Sequence, residues 1–211
     1  MRSIFQFQTA TGLALVLTSA MGMASCASEL TRTGASPAYL VIDSILGAQG
    51  NNSSTFGTPL FSDVQTLVDN GTAVRSAVVY NDLGQVRMRV LLKNPTTPTG
   101  PSSLNSITVN RYHVEYRRSD GRNTPGVDVP YGFDGGATFT VQGDAPTTFA
   151  FDVVRNQAKL EPPLKTLVGA GGSVFVSTIA EITFYGRDQA GNEVQVSGTL
   201  QVNFGDWADG N

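Results

Sequence analysis

The stretch that decides the fold is Ala180-Glu-Ile-Thr-Phe-Tyr-Gly-Arg-Asp-Gln-Ala-Gly-Asn-Glu-Val-Gln-Val-Ser-Gly-Thr-Leu-Gln-Val-Asn-Phe204. In its second half Val194, Val196, Leu200, Val202 and Phe204 fall on one parity, and Gln195, Ser197, Thr199, Gln201 and Asn203 fall on the other. That period of two predicts a strand with one buried and one wet face. Ala180, Ile182 and Phe184 alternate with Glu181, Thr183 and Tyr185, so the first half supplies a second apolar row. Between them Asp188-Gln-Ala-Gly191 has a turn-forming carboxylate first and a glycine fourth, the arrangement of a type I turn closed by a left-handed glycine. A long antiparallel hairpin follows. At about 3.4 Å per residue its second arm spans roughly 37 Å. Gly198, on the buried parity, predicts a bend or a close crossing with another strand.

Outward from the hairpin the pattern stays β-like. Tyr39 to Ser44 reads as the first strand, and Gly47 to Thr55 as a polar loop, a candidate for disorder. Leu60 to Val68 fits an edge strand or a helical turn. Val74–Tyr80 and Gln85–Lys93 read as a second hairpin around Asn81-Asp-Leu-Gly84, its second arm apolar on one face and basic on the other. Three prolines between Asn94 and Asn105 exclude that segment from a ladder and make it a connection between sheets or a crossover. In Ser106–Arg118 the apolar parity changes from Ile107 and Val109 to Tyr112, Val114 and Tyr116, which predicts a bulge near Asn110. Ala137–Val141 and Phe149–Val153 are the next strands, with Gly143-Asp-Ala-Pro146 as the turn between them. Leu160, Leu164 and Leu167 are helically spaced around Pro162-Pro163, allowing one short helix that starts at the prolines. Eight or nine strands, no internal repeat and no linker predict a single all-β, antiparallel domain over residues 38–206, followed by a tail, 207–211.

Residues 1–25 stand apart. Arg2 is their only charge, Leu13-Ala-Leu-Val-Leu17 centres an apolar run, and small residues follow. The run is short of the ~20 residues a spanning helix needs, so it reads as a secretory leader. Met23-Ala-Ser-Cys26 resembles the lipobox of bacterial lipoproteins, with Met where leucine is usual. The resemblance implies cleavage before Cys26 and lipidation of that cysteine, with residues 26–37 as a flexible tether. Cys26 is the only cysteine, so no intrachain disulfide can form, and an exported lone thiol is better explained by lipidation than by chance. Several acyl chains anchor firmly where one is marginal. Ala27 and Ser28 lack the aspartate that retains such proteins at the inner membrane of Gram-negative cells. The expected location is therefore the bacterial cell envelope, at the outer membrane. Without Arg2 the chain has 13 basic and 17 acidic residues, net −4, a field that would not gather nucleic acid.

Tyr112-His-Val-Glu-Tyr-Arg-Arg-Ser-Asp-Gly121 resembles the third strand and following turn of fibronectin type III domains, and Phe184-Tyr-Gly-Arg-Asp-Gln-Ala-Gly-Asn192 resembles the last hairpin of bacterial immunoglobulin-like domains. Both imply a two-sheet β-sandwich with long loops. The chain departs from those families in lacking a cysteine pair and in placing its only tryptophan, Trp207, after the last strand.

Little in the chain points to catalysis. His113, the only histidine, lies on a polar parity with Arg111, Glu115 and Arg117, the setting of a solvated residue. One histidine and one cysteine cannot build an ordinary zinc site. No Gly-x-Ser-x-Gly elbow accompanies the histidine. Facing carboxylates remain the one route to a hydrolase. Calcium finds no EF-hand spacing, and no cofactor is expected. Residues 119–134 are the candidate recognition loop. They gather Arg122, Asn123, Asp128, Tyr131, Phe133 and Asp134, the amide, carboxylate and aromatic groups that bind saccharides or peptides. The sequence thus reads as a monomeric, membrane-anchored, non-catalytic structural or binding module with an envelope protein as partner. The alternative is a carbohydrate-binding module using this loop.

Overall fold

The structure is a computed structural model, and it describes residues 35–71, 74–94 and 100–207. The leader, Cys26 and most of the tether lie outside the described residues. The described chain is mostly β. Its strands are β1 (Ala38–Ala48), β2 (Leu60–Asp63), β3 (Thr66–Val68), β4 (Ser76–Val78), β5 (Asp82–Leu92), β6 (Ile107–Arg117), β7 (Phe133–Val141), β8 (Thr147–Val154), β9 (Phe175–Asp188) and β10 (Glu193–Gly205). One short helix, α1 (Asn156–Lys159), follows β8, and single 3-10 turns occur at Gly50–Asn52, Ser103–Asn105 and Leu164–Leu167.

The strands form a three-stranded sheet ordered β1-β5-β8, a five-stranded sheet ordered β2-β10-β9-β6-β7, and a two-stranded ribbon, β3-β4. The β9–β10 hairpin is the centre of the larger sheet and is paired in continuous register from Glu193↔Arg187 to Gly205↔Phe175. Ala180, Ile182, Phe184, Leu200, Val202 and Phe204 are buried, as the alternation requires, while Val196 is only half-buried. The turn is also as read: the Gly191 amide donates to the Asp188 carbonyl at 3.0 Å, and Gly191 has φ +85°. Gly198 is a close crossing. A Cβ there would lie 2.7 Å from Ile45 Cδ1 and 3.0 Å from Ile42 Cδ1, so β1 crosses the hairpin where it has no side chain.

The register of β6 slips between Val109 and Arg111 against both β7 and β9. This bulge keeps Ile107 and Val109 on the inner face together with Tyr112, Val114 and Tyr116. Side chains of the two larger sheets share one core. Tyr112 meets Phe151 edge-on at 5.1 Å, and Tyr116 donates its hydroxyl hydrogen to the Val153 carbonyl at 2.6 Å.

Several expectations are corrected. The second hairpin does not exist: Ser76–Val78 pairs with Thr66–Val68, while β5 pairs with β1 and β8. Asn81-Asp-Leu-Gly84 looks like a turn, but Asp82 starts a buried strand, and Gly84 lies where a Cβ would be 2.4 Å from Val153 Cγ2. The antiparallel rule also breaks once, since β2 runs parallel to β10. The turn at 143–146 joins strands of different sheets, β7 to β8, so it is a corner and not a hairpin. The helix precedes Pro162-Pro163. Leu160 is exposed, whereas Leu164 and Leu167 are buried by the 3-10 turn after the prolines. The segment around 47–55 is built into β1 and the Gly50–Asn52 turn, and the Gly47 and Gly57 backbones bond each other in both directions at 2.8 Å. Trp207, expected to begin a tail, is docked. Its indole N–H donates to the Ser62 carbonyl at 3.0 Å, and its ring covers Gly205, where a Cβ would come within 2.9 Å.

A groove between the 118–132 loop and the α1 segment

The candidate loop divides into two parts. In the first, Asp120 receives hydrogen bonds from Arg118 and Arg122, and the Asn123 side-chain carbonyl accepts the Arg118 amide at 2.6 Å. The Arg118 hydrogen bond, joined by those from Arg122, holds the exposed Asp120 carboxyl well below the usual carboxylate range. Asp128 accepts the Thr124 amide at 3.2 Å. Arg122, Asn123 and Asp128 therefore shape the loop, and the structure does not bring them into the groove described next.

The second part forms one wall of a groove of about 200 Å³, lined by Pro130, Tyr131, Gly132 and Phe133 on one side and by Arg155, Gln157, Ala158, Glu161 and Pro162 on the other. Tyr131 is 58 % exposed, and its ring lies over Gly126, which has φ +77° and no Cβ to obstruct it. Phe133 begins β7 opposite Val114. The Arg155 guanidinium lies 4.0 Å above the Phe133 ring, which meets Tyr112 edge-on at 6.2 Å. Arg155 also donates to the Asp134 carbonyl, joining the two walls. Gln157 donates its amide to Glu161, one helical turn on. Its lining combines apolar side chains with guanidinium, amide, carboxylate and phenol groups. The Arg155 guanidinium is thus held over an aromatic face and tied to a carbonyl at the groove.

Asp134 turns the other way. It pairs with His113 Nδ1 at 3.2 Å and lies 3.8 Å from Arg111 on the outer face of the sheet. Arg111 in turn stacks on Tyr185 at 3.8 Å. On that same face Glu115 and Glu181 are cross-strand neighbours, bridged by Arg117. These two carboxylates face each other on an open surface with the Arg117 guanidinium between them. Among the described residues no three His, Cys, Asp or Glu side chains gather as a metal site.

Sequence reasoning found Tyr131 and Phe133 but missed Arg155, Gln157 and Glu161. The i,i+4 spacing of Gln157 and Glu161 was the one local signal. A second missed feature is buried. Lys159, the last residue of α1, pairs with Asp82 at 2.9 Å, each side chain 1 % exposed. Burial pushes the Asp82 carboxyl above its ordinary value, against the opposing pull of Lys159 and of the Ser62 and Gly50 donors.

No protein-family model matches the chain, and no curated protein matches it.

Proposed function

We propose that this protein is a non-catalytic, lipid-anchored binding module of the bacterial cell envelope, and that it engages its partner through the Tyr131–Arg155 groove. The observation that carries the reading is the pairing of an exposed Tyr131 with the Phe133–Arg155 stack in one groove. Tyrosine and arginine are enriched among the residues that dominate binding energy at interfaces. Placement supports it. The Ser36 hydroxyl bonds the Asp188 carboxylate, so the chain leaving Cys26 enters at the hairpin-turn end. Phe133 is level with Val114 and Ile182, and the loop extends beyond them. The groove thus lies roughly 20–30 Å along β9 from the anchored end.

In this reading the β1-β5-β8 and β2-β10-β9-β6-β7 sheets are the two layers of a sandwich of immunoglobulin or fibronectin type III kind. The β3-β4 ribbon and parallel β2 are additions to that plan. The Tyr116 to Val153 hydrogen bond and the Phe151–Phe184 contact across the core support it.

Two measurements test the proposal. Mass spectrometry of the mature N-terminus should find acylated Cys26; an unmodified cysteine, or an N-terminus beyond it, ends the anchoring claim. Immobilised protein incubated with envelope extract should retain a component that is lost on Tyr131→Ala and kept on Gln195→Ala; equal retention by both variants contradicts the groove. The exposed tyrosine beside amide and carboxylate groups also favours a second reading, a saccharide ligand. A glycan array would support it only if binding disappears with Tyr131→Ala.

A further inference from the structure

The least expected chemistry in the chain is the ion pair inside it. Asp82 and Lys159 come from segments 77 positions apart, and each side chain is only 1 % exposed. The carboxylate is held at both oxygens: the Gly50 amide donates to Oδ1 at 2.9 Å, and the Ser62 hydroxyl donates to Oδ2 at 2.6 Å. Lys159 Nζ approaches that same Oδ2 at 2.9 Å. Tyr116 is fully buried with its hydroxyl committed to Val153. Two charges withdrawn from water carry a desolvation cost that a neutral amide between the same two groups does not.

We propose that Lys159 and Asp82 condense to an intramolecular amide, a covalent cross-link between α1 and the start of β5. The proton moves from Nζ to Oδ2, leaving a neutral amine against a neutral carboxyl group. The amine lone pair then forms the Nζ–Cγ bond, and negative charge develops on Oδ1, where the Gly50 N–H is already placed to receive it. A second Nζ proton passes directly to Oδ2, 2.9 Å away, to which the Ser62 hydroxyl is also bound. The Cγ–Oδ2 bond breaks and one water leaves. Lysine amine and carboxylic acid give amide and water, so no oxidant, reductant or cofactor is needed. The fold supplies the reaction's main requirement, a fixed approach that replaces a bimolecular encounter. The product would staple the Arg155–Glu161 wall of the groove to the sheet and constrain the unfolded chain across the intervening residues. The cross-link does not depend on what the groove binds.

The test uses the full chain, folded and purified, digested with trypsin after denaturation. Trypsin does not cut after an acylated lysine. The cross-link therefore predicts a branched peptide joining residues 76–87 to residues 156–165, one water lighter than the sum of its two parts, with tandem fragmentation placing the branch at Asp82 and Lys159. Residues 76–87 recovered as a free peptide, with complete cleavage after Lys159, overturns the proposal. Lys159→Arg keeps the charge but cannot form this amide. It should give only separate peptides and a lower urea midpoint, with an unchanged circular-dichroism spectrum at low denaturant. Observation of the branch in this variant would show that the assignment of Lys159 is wrong.

Discussion

Leu200 and Gln201 are adjacent in sequence and face opposite sides of one strand, and the difference can be measured. Leu200 is 2 % exposed in the common core. Truncation to alanine should cost about 2–4 kcal/mol, a large fraction of the ~5–15 kcal/mol that holds a domain together. Gln201→Ala should change the urea midpoint little, and equal losses would show that the parity of the hairpin is misassigned. Gly191 is a different case. No atom lies within 4 Å of its missing Cβ, so Gly191→Val is penalised only through the positive φ, by about 1–3 kcal/mol, and Gly191→Asn should recover most of it. Asp188 adds a pH dependence. Burial raises its pKa, but donors from Asn192, Ser36 and Ala190 outweigh that, and the net shift is downward from 3.8. A depressed folded-state value means stabilisation that is present above the ordinary carboxylate pKa and lost as pH falls below it. Asp188→Asn should therefore flatten the acid limb of the stability curve, and an unchanged limb would remove Asp188 from the account.

Among the elements, the bulge in β6 has the most leverage. It lets one strand present two apolar parities to one core, because the extra residue at Asn110 resets the alternation. Deleting Asn110 should turn Tyr112, Val114 and Tyr116 outward and abolish the cooperative unfolding transition, whereas a one-residue deletion within 119–123 should leave it nearly intact. Thermal melts of the two deletions decide this. The bulge and the hairpin were legible because their signal is local, an alternation with a single break. The start of β5 was not. Asn81-Asp-Leu-Gly84 has turn composition, and only partners far along the chain make it a strand: Lys159 and Ser62 for Asp82, Phe151 and Val153 for Gly84. Residues 156–167 were misplaced for a related reason. The leucine spacing suggested one apolar face, but the buried residue in α1 is Lys159, and Leu160 faces solvent. A buried lysine cannot be inferred from a sequence until its carboxylate is known.

At the scale of the whole molecule the same limit applies to the candidate site. Tyr131 and Phe133 could be picked out because aromatic residues in a Gly- and Pro-shaped loop are conspicuous, but the opposite wall comes from the misplaced segment. The fold joins the two through the Arg155 bonds to Phe133 and Asp134. Arg155→Ala should loosen the groove more than the fold, with a small fall in the urea midpoint and a larger loss of ligand retention. In the proposed function, the groove end of the β-structure makes the contact and the hairpin-turn end does not. The most direct measurement is photo-crosslinking in intact cells, with a benzophenone amino acid placed at Tyr131, at Gln195 on the outer sheet face, or at Ala190 in the hairpin turn. Position 131 should give one discrete adduct, and positions 195 and 190 none. An adduct from 195 or 190 with none from 131 would contradict the proposal.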